Sequence, residues 1–325
     1  MNRVVIADIA PQSVRDLDVE RLILGPQVDV RHFNGAANES VLVSACRDAD
    51  VVITDLAPMT RDVIGELRKC RLISVAGTGY SSIDLQAAQD AKISVCAIPE
   101  YCTDEVADHV MLMILALSRR LLNYHEQIQI HRSWQFETHR GVAVLRDLRL
   151  GVIGFGKIGA AVASRARGFG MSVLAHDRDP AKSESQFPDV RFCDLATLLR
   201  ESDVISLNCS MSADNVNLID AAAFARMQRR PIFINCARGE MVDEAALVKA
   251  LDTGQIAGAG LDVLRGEVPD LDALTLAGRD NVILTPHVAF YSTTSLLESR
   301  KISARNARNF LDGRHELVER YVFRP

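Results

Sequence analysis

The chain has 325 residues, of which 48% are hydrophobic and 24% charged, and its formal net charge is −5. This length exceeds one typical domain and predicts two, and the composition is that of a globular protein rather than a disordered one. The net negative charge argues against a general attraction to nucleic acid or to a membrane surface.

The cysteines and the apolar runs predict a cytoplasmic protein. Seven cysteines are scattered without a C-x-x-C pair or a Cys/His cluster at zinc spacing, which predicts reduced thiols and no metal site. The first residues, M-N-R-V-V-I-A-D, begin on a predicted strand rather than on a signal peptide. The longest apolar run, 110–117, is too short to span a bilayer.

Over the first hundred residues, short apolar runs alternate with amphipathic segments, which predicts βαβ units and a parallel sheet. The predicted strands are 4–7, 28–32, 51–54, 72–76 and 93–97, and the predicted helices are 40–47, 60–68 and 85–91. A long helix is then expected from Thr103 to about Asn123, connecting two domains. The segment 125–146 is expected to be irregular.

A glycine motif follows at 148–159, which reads L-R-L-G-V-I-G-F-G-K-I-G. This order predicts a strand, a tight turn at Gly154, a close approach of pyrophosphate at Gly156 and close packing of helix and strand at Gly159. The N-terminus of the helix would offer N–H groups to the phosphates. The alternative is a glycine-rich turn without a ligand.

Asp177 follows the next apolar run, 18 residues after Gly159, where a carboxylate that binds the ribose hydroxyls is expected. Such a carboxylate repels a 2′-phosphate, so the predicted cofactor is NAD rather than NADP. The adjacent Arg178 could soften that preference. A solvated charge at a strand end is the alternative interpretation of Asp177.

The second half repeats the alternation of strands and helices. Its predicted strands are 150–155, 173–176, 204–207, 232–235, 260–263 and 282–284. Six strands with the glycine turn after the first are typical of a doubly wound dinucleotide-binding, or Rossmann, domain. A last helix at 295–311 is expected to return to the first domain. The predicted domains are therefore 1–99 with 290–325, and 100–289.

Charged residues follow three consecutive strands of the predicted dinucleotide domain. The carboxyl ends of parallel strands share one edge, so Arg238, Glu267 and His287 are expected to converge there. Histidine can take a hydroxyl proton, a carboxylate can hold its tautomer, and arginine can bind a substrate carboxylate. Taken singly, each residue has a structural alternative: a buried histidine, a solvated glutamate and an arginine that caps a helix. The three together predict a catalytic site.

At these residues the chain resembles the D-isomer-specific 2-hydroxyacid dehydrogenases over nearly its whole length. The resemblance rests on N-C-A-R-G-E-M-V-D-E-A-A-L, G-A-G-L-D-V-x-x-x-E-x-P and T-P-H. It implies that Arg238 anchors the substrate carboxylate, that Glu267 is the partner of His287, and that His287 accepts or donates the proton. It also implies that Asp262 and the backbone at 236–237 contact the nicotinamide half.

The resemblance extends to V-A-G-T-G-Y-S-S-I-D at 75–84, where N–H groups from Ala76 to Gly79 would hold the substrate carboxylate. It implies an α/β fold of two doubly wound parallel-sheet domains with a cleft between them. The first would be a flavodoxin-like substrate (catalytic) domain and the second a Rossmann NAD domain. The predicted substrate-binding residues are Ala76, Gly77, Thr78, Gly79, Tyr101, Arg238 and Phe290.

Two segments, 100–109 and 287–292, look like the D-lactate dehydrogenase and C-terminal-binding-protein branches of the family. Tyr101 would line the pocket, and Phe290 would form a pocket wall or, equally, hinge core. The chain departs from the family at 207–212, where Asn208 replaces a histidine and Ser210 a proline. This departure leaves the adenine and ribose contacts of the loop open.

The sequence thus predicts an NAD-dependent oxidoreductase that transfers a hydride between nicotinamide and a small D-2-hydroxy acid or the matching 2-keto acid. The alternative is an NAD(H)-sensing interaction protein of the C-terminal-binding-protein type. The resemblance implies a homodimer through the NAD domain. The predicted cofactor-binding residues are Gly154, Gly156, Lys157, Ile158, Gly159, Asp177, Cys209, Cys236, Ala237, Arg238, Asp262 and His287.

Overall fold

A computed structural model describes residues 1–8, 16–35, 38–138, 142–179, 181–182, 186–266 and 269–325. The chain divides into two compact units, one of residues 1–101 and 292–325 and one of residues 102–291. The boundaries predicted from the sequence lie two residues earlier in each case. Strands β1–β13 and helices α1–α11 are numbered in chain order.

The first unit is a sheet covered by helices. Its strands are β1 (Asn2–Asp8), β2 (Val28–Asn34), β3 (Val51–Thr54), β4 (Leu72–Val75), β5 (Ser94–Cys96) and β13 (Tyr321–Phe323). Its helices are α1 (Asp18–Leu24), α2 (Glu39–Cys46), α3 (Arg61–Gly65), α4 (Leu85–Asp90) and α11 (Thr293–Leu311). The order β13-β5-β4-β3-β1-β2 contains the flavodoxin-like arrangement 2-1-3-4-5. Strands β1 to β5 are parallel, and β13 joins β5 antiparallel.

Helix α11 packs on the first sheet through small polar residues. Ser299 Oγ donates a hydrogen bond to the Ala76 carbonyl oxygen at 2.6 Å, and Ser74 Oγ donates to the Ser303 carbonyl oxygen at 3.3 Å. Short side chains let the helix approach the sheet closely while these two hydroxyls keep hydrogen-bond partners. The returning helix therefore supports the segment that follows β4, which carries the predicted substrate loop.

A buried ion pair ties α1 to α11. Glu20 is fully buried, and its two carboxylate oxygens accept hydrogen bonds of 2.8 Å each from Nε and Nη2 of Arg300. The sequence analysis missed α1 because its apolar pattern is misleading: Leu22 is 85% exposed, whereas the inward position holds Glu20. A charge occupies that position because its partner comes from 280 residues further along the chain.

The second unit is also a sheet covered by helices. Its strands are β6 (Arg149–Ile153), β7 (Ser172–His176), β8 (Val190–Phe192), β9 (Val204–Leu207), β10 (Ile232–Asn235), β11 (Gly258–Leu261) and β12 (Val282–Leu284). Its helices are α5 (Thr103–Ser118), α6 (Leu121–Gln129), α7 (Lys157–Gly168), α8 (Leu195–Glu201), α9 (Ala221–Ala225) and α10 (Glu244–Asp252). All its strand pairs are parallel, in the order β12-β11-β10-β9-β6-β7-β8. The strand order reverses between β6 and β9, as in the Rossmann arrangement.

The predicted long helix to Asn123 is wrong in its extent. Helix α5 ends at Ser118, and α6 begins at Leu121 after Arg120, whose φ is +53°. A left-handed residue interrupts a helix, but the sequence L-S-R-R-L-L-N has no glycine or proline there that would predict the break. The first part of the segment predicted as irregular, 125–129, belongs to α6.

All seven cysteines are free, and none forms a disulfide. Among the described residues, no helix combines the length and apolar character that a membrane crossing requires.

We expect Arg300→Met to lower the free energy of unfolding by about 3–5 kcal/mol, because the substitution removes both Arg300 hydrogen bonds and the opposite charge from the buried Glu20 carboxylate. Urea unfolding followed by circular dichroism measures the change. Arg61→Met is the control, since Arg61 pairs with Asp90 at the surface, where an ion pair contributes at most about 1 kcal/mol. Equal effects of the two substitutions would contradict the importance of the buried pair.

Candidate active site

The glycine turn between β6 and α7 has the geometry that a bound dinucleotide needs. Gly154 has a φ of +89°, and a Cβ there would lie 2.6 Å from the Cα of Cys209. A Cβ on Gly159 would collide with the carbonyl oxygen of Gly154, whereas one on Gly156 would meet nothing within 4 Å. The turn is thus closed toward the protein and open at the start of α7, where pyrophosphate can approach N–H groups.

Asp177 lies directly after β7 and is joined to the glycine turn. Its Oδ2 accepts hydrogen bonds from the Phe155 N–H at 2.7 Å and from Lys182 Nζ at 2.8 Å, and its Oδ1 accepts from the Asp179 N–H at 2.9 Å. Partial burial acts to raise the pKa of this carboxyl, but these hydrogen bonds outweigh it and hold the pKa below its ordinary value. Asp177 is therefore ionised at neutral pH.

The loop after β9, where the chain departs from the family pattern, is held by its own amides. Asn208 donates from Nδ2 to Ser206 Oγ at 3.0 Å, so its side chain folds back on the strand. Asn215 donates to the Ser210 carbonyl at 2.8 Å and accepts from the Ser212 N–H at 2.7 Å. These bonds fix the loop that packs against Gly154 without the histidine and proline of the family.

The loop after β10 carries Cys236, Ala237 and Arg238. Asn235, buried at the end of β10, accepts a hydrogen bond from the Ala237 N–H at 3.0 Å and donates one to the Arg238 carbonyl at 3.0 Å. The side-chain amide therefore fixes the backbone that presents the Arg238 guanidinium. Burial raises the pKa of the Cys236 thiol, which stays protonated.

A buried carboxylate after β11 holds the loop that carries His287. Asp262, only 1% exposed, accepts hydrogen bonds from the N–H groups of Val288 and Ala289, each at 2.9 Å, and from Thr285 Oγ1 at 2.5 Å. His109 of α5 completes the cluster, with its Nε2 3.0 Å from Thr285 Oγ1 and 3.7 Å from Asp262 Oδ1. This geometry favours a positioning role for Asp262.

His287 follows β12 in a conformation that few side chains adopt. Its φ is +52°, and its N–H donates to the Asp262 carbonyl oxygen at 2.8 Å. Left-handed backbone at a non-glycine residue is costly and is common at functional sites. The Phe290 ring meets the imidazole edge-on, with 5.9 Å between the ring centroids. That contact favours the pocket-wall interpretation of Phe290 over the hinge-core interpretation.

In the first unit, the predicted substrate loop follows β4. The Ala76 N–H donates to the Thr54 carbonyl at 2.7 Å, so it is committed to the sheet and cannot also bind a substrate carboxylate. The carbonyl oxygens of Gly77 and Thr78 accept hydrogen bonds from the Ile98 N–H and Arg320 Nη1, each at 3.0 Å. The prediction of carboxylate binding is thereby narrowed to the N–H groups of Gly77, Thr78 and Gly79.

The second unit presents Arg238, Asp262 and His287 after the carboxyl ends of β10, β11 and β12, which are neighbours in one parallel sheet. Glu267, the predicted partner of His287, lies outside the described residues. The sequence analysis missed three residues that hold these loops: Asn235, Thr285 and His109. The first two stand inside the quoted motifs, next to the residues that were chosen.

The comparisons with known proteins agree with this geometry. A sequence model described as "D-isomer specific 2-hydroxyacid dehydrogenase, NAD binding domain" matches residues 111–289. A glycerate dehydrogenase of Methylorubrum extorquens is 35% identical over 89% of this chain and 91% of its own length. A hydroxypyruvate reductase of Blautia hydrogenotrophica is 30% identical over 96% and 97%. A D-lactate dehydrogenase of Aquifex aeolicus, solved with NAD and lactic acid, has a TM-score of 0.86 and 29% identity, covering 99% of both chains.

The chain belongs to the D-isomer-specific 2-hydroxyacid dehydrogenase family. The predictions of an NAD-dependent oxidoreductase and of two parallel-sheet α/β domains are confirmed. The alternative, an NAD(H)-sensing interaction protein, receives no support from these relatives. They carry the names of several substrate types, so the branch within the family stays a prediction.

We expect Gly154→Ala to lower the free energy of unfolding by about 3 kcal/mol and NADH affinity at least about tenfold, because a Cβ strains the left-handed backbone and displaces Cys209. Thermal unfolding and NADH fluorescence titration measure the two effects. Gly168→Ala is the control, since its Cβ meets nothing within 4 Å near the end of α7. NADH binding by Gly154→Ala at the unsubstituted affinity would contradict the assigned turn.

Proposed function

We propose that the protein interconverts a small D-2-hydroxy acid and the corresponding 2-keto acid, with Arg238 and His287 as its working side chains. The observation that carries this proposal is the placement of the two residues after β10 and β12, the strands on either side of β11 in the parallel dinucleotide-binding sheet. The glycine turn and Asp177 also follow strands of this sheet, and they lie at the same edge because the carboxyl ends of parallel strands are all on one side.

The cofactor would be held by the glycine turn and by the carboxylate after β7. The N–H groups at the start of α7 would bind the pyrophosphate, and Asp177 would accept hydrogen bonds from the ribose hydroxyls. Of the predicted cofactor residues, Lys157 and Ile158 begin α7, and Cys209 packs against Gly154. Bound NAD supplies the acceptor, and its reduced form the donor, of the hydride that leaves or reaches C2 of the substrate.

The side chains would handle the carboxylate and the proton. The planar guanidinium of Arg238 can bind the substrate carboxylate through two hydrogen bonds, and the N–H groups of Gly77, Thr78 and Gly79 are proposed to add to that binding. In oxidation, the imidazole of His287 takes the proton from the C2 hydroxyl as the carbonyl forms. In reduction it returns that proton to the oxygen. Glu267 is proposed to hold the imidazole in one tautomer.

The substrate is proposed to be a short acid. The relatives named above are a glycerate dehydrogenase, a hydroxypyruvate reductase and a D-lactate dehydrogenase, whose names all refer to three-carbon acids. Phe290 at the edge of the His287 ring narrows the space beside the reacting carbon, and Tyr101 is proposed to do the same from the first unit. The free thiols support a reducing compartment, for which we propose the cytoplasm.

We also propose that two copies of the chain pair through the arm that follows α5, defined as residues 121–138. Gln127 of α6 donates to the carbonyls of Ser133 and Gln135, which folds the arm back on itself. Trp134 and Phe136 are nevertheless 88% and 82% exposed, beside an open groove of about 1000 Å³. Clustered aromatic exposure of this kind is typical of a protein interface, and a second copy would cover it.

We expect the purified protein to oxidise NADH with glyoxylate, hydroxypyruvate or pyruvate. His287→Gln should lower kcat about 10²–10⁴-fold, since it removes the group that donates the proton. Arg238→Lys should chiefly raise KM for the keto acid, because a lysine cannot make the two-pronged contact.

His131→Gln is the control for these variants, as His131 is exposed on the arm and should leave both constants unchanged. If NADH binds and no 2-keto acid is reduced, the proposed reaction is wrong. If His287→Gln retains the unsubstituted kcat, the role of the imidazole is wrong.

We expect Phe136→Asp to shift the mass in solution from about twice 35.7 kDa toward 35.7 kDa, because a buried interfacial charge is costly to desolvate. Light scattering after size exclusion measures the mass. Leu22→Asp is the matched control, because Leu22 is equally exposed but lies in the first unit. If the mass in solution is unchanged by Phe136→Asp, or if the unsubstituted protein is a monomer, pairing through the arm is refuted.

A further inference from the structure

The carboxylate that is proposed to bind the adenosine ribose is already largely occupied by the protein. A carboxylate offers about four acceptor positions, and Asp177 uses three of them, two at Oδ2 and one at Oδ1. The two ribose hydroxyls together require two positions. One existing hydrogen bond must therefore be given up when an unphosphorylated ribose binds in the usual way.

Lys182 makes the bond that can be given up. The other two donors are the backbone N–H groups of Phe155 and Asp179, which the glycine turn and the strand end fix in place. The Lys182 ammonium sits at the end of a flexible side chain, 2.8 Å from Asp177 Oδ2. Its pairing with Asp177 neutralises much of the negative charge that would otherwise repel a phosphate at the 2′ position.

A second cation lies beside this pair. Arg178 directly follows Asp177, its side chain is 69% exposed, and its contact with Asp214 is a long one of 3.9 Å at the surface. Such a contact restrains an arginine only weakly. The strand end thus presents one partly neutralised carboxylate and two cations that could turn to an anion.

We propose that Lys182 allows the ribose site to accept the 2′-phosphate of NADP(H) as well as the 2′-hydroxyl of NAD(H). With NADPH, the ammonium pairs with both Asp177 and the phosphate, which relieves the repulsion between the two anions. With NADH, the same ammonium competes with the ribose hydroxyls for Asp177. The Lys182 side chain therefore raises the affinity for NADPH and lowers the affinity for NADH. The inference rests on the proposed role of Asp177 at the ribose.

The test is fluorescence titration of the full-length protein with NADH and with NADPH, which needs no substrate and no turnover. The unsubstituted protein should bind NADPH within about tenfold of NADH. Lys182→Gln keeps the length and a hydrogen-bond donor but removes the charge. It should raise the ratio of the NADPH to the NADH dissociation constant by about fivefold or more. NADPH loses a partly exposed charge pair with the ammonium, and NADH loses a competitor for Asp177. Lys182→Arg should restore a ratio close to the original.

Two further measurements separate a charge effect from a general change in the loop. The NADPH affinity of the unsubstituted protein should fall more steeply with added KCl than that of Lys182→Gln, because screening weakens the ammonium–phosphate pair. Lys301→Gln is the matched control: Lys301 makes a similar pair, 2.7 Å from Glu298 Oε1, in the first unit and should leave the ratio unchanged.

Asp177→Ala distinguishes failure of this inference from failure of the assigned ribose site. If Asp177→Ala changes the ratio and Lys182→Gln does not, the role of Lys182 is overturned while the ribose site stands. If Asp177→Ala changes neither affinity, the ribose site itself is wrong. An unsubstituted protein that binds NADH and shows no NADPH binding would also overturn the inference.

Discussion

The site depends on one buried carboxylate. Asp262 draws in the N–H groups of Val288 and Ala289 and the hydroxyl of Thr285, and so determines the path of the chain through His287. A φ of +52° at His287 is unfavourable by itself, and it persists because the backbone on either side is tied to the same residue, through the Asp262 carbonyl before it and the carboxylate after it. The orientation of the imidazole is thus a property of this cluster as well as of the histidine.

The parallel sheet explains why so much of the site could be predicted from the sequence. The strands β3, β9, β10 and β12 have the bounds that the apolar runs predict. For β3, β9 and β10 the reason is that a parallel strand inside the sheet is covered on both faces and is therefore largely apolar. The polar and charged residues of the candidate site come directly after these apolar runs, since the carboxyl ends of parallel strands share one edge of the sheet. The spacing of the three glycines in the motif is enough to predict the local backbone geometry. The tight turn at Gly154 and the close packing at Gly159 could therefore be predicted without knowledge of the residues that surround them in the fold.

The features that the sequence did not reveal depend on contacts far along the chain or on backbone that no residue type announces. Helix α1 hides a buried Glu20 whose partner is 280 residues away, and the break at Arg120 uses a left-handed arginine. The short edge strands β8 and β13 give too few residues for a period to show. Asn235, Thr285 and His109 act through side-chain hydrogen bonds. Only the folded geometry shows that Asn235 reaches the loop backbone, that His109 meets the Thr285 hydroxyl and that this hydroxyl reaches the Asp262 carboxylate.

Asp177 and Asp262 carry the same functional group at one edge of the sheet, but in different surroundings. Both follow a strand, and both accept hydrogen bonds from backbone N–H groups. Asp262 is almost fully buried, and its hydrogen bonds come from the loop after β12, so its side chain holds the protein framework together. Asp177 keeps some exposure, and one of its three donors is a flexible lysine. A carboxylate becomes available to a ligand when one of its hydrogen-bond donors is mobile. When all of its donors are held in place, the carboxylate stabilises the protein structure instead.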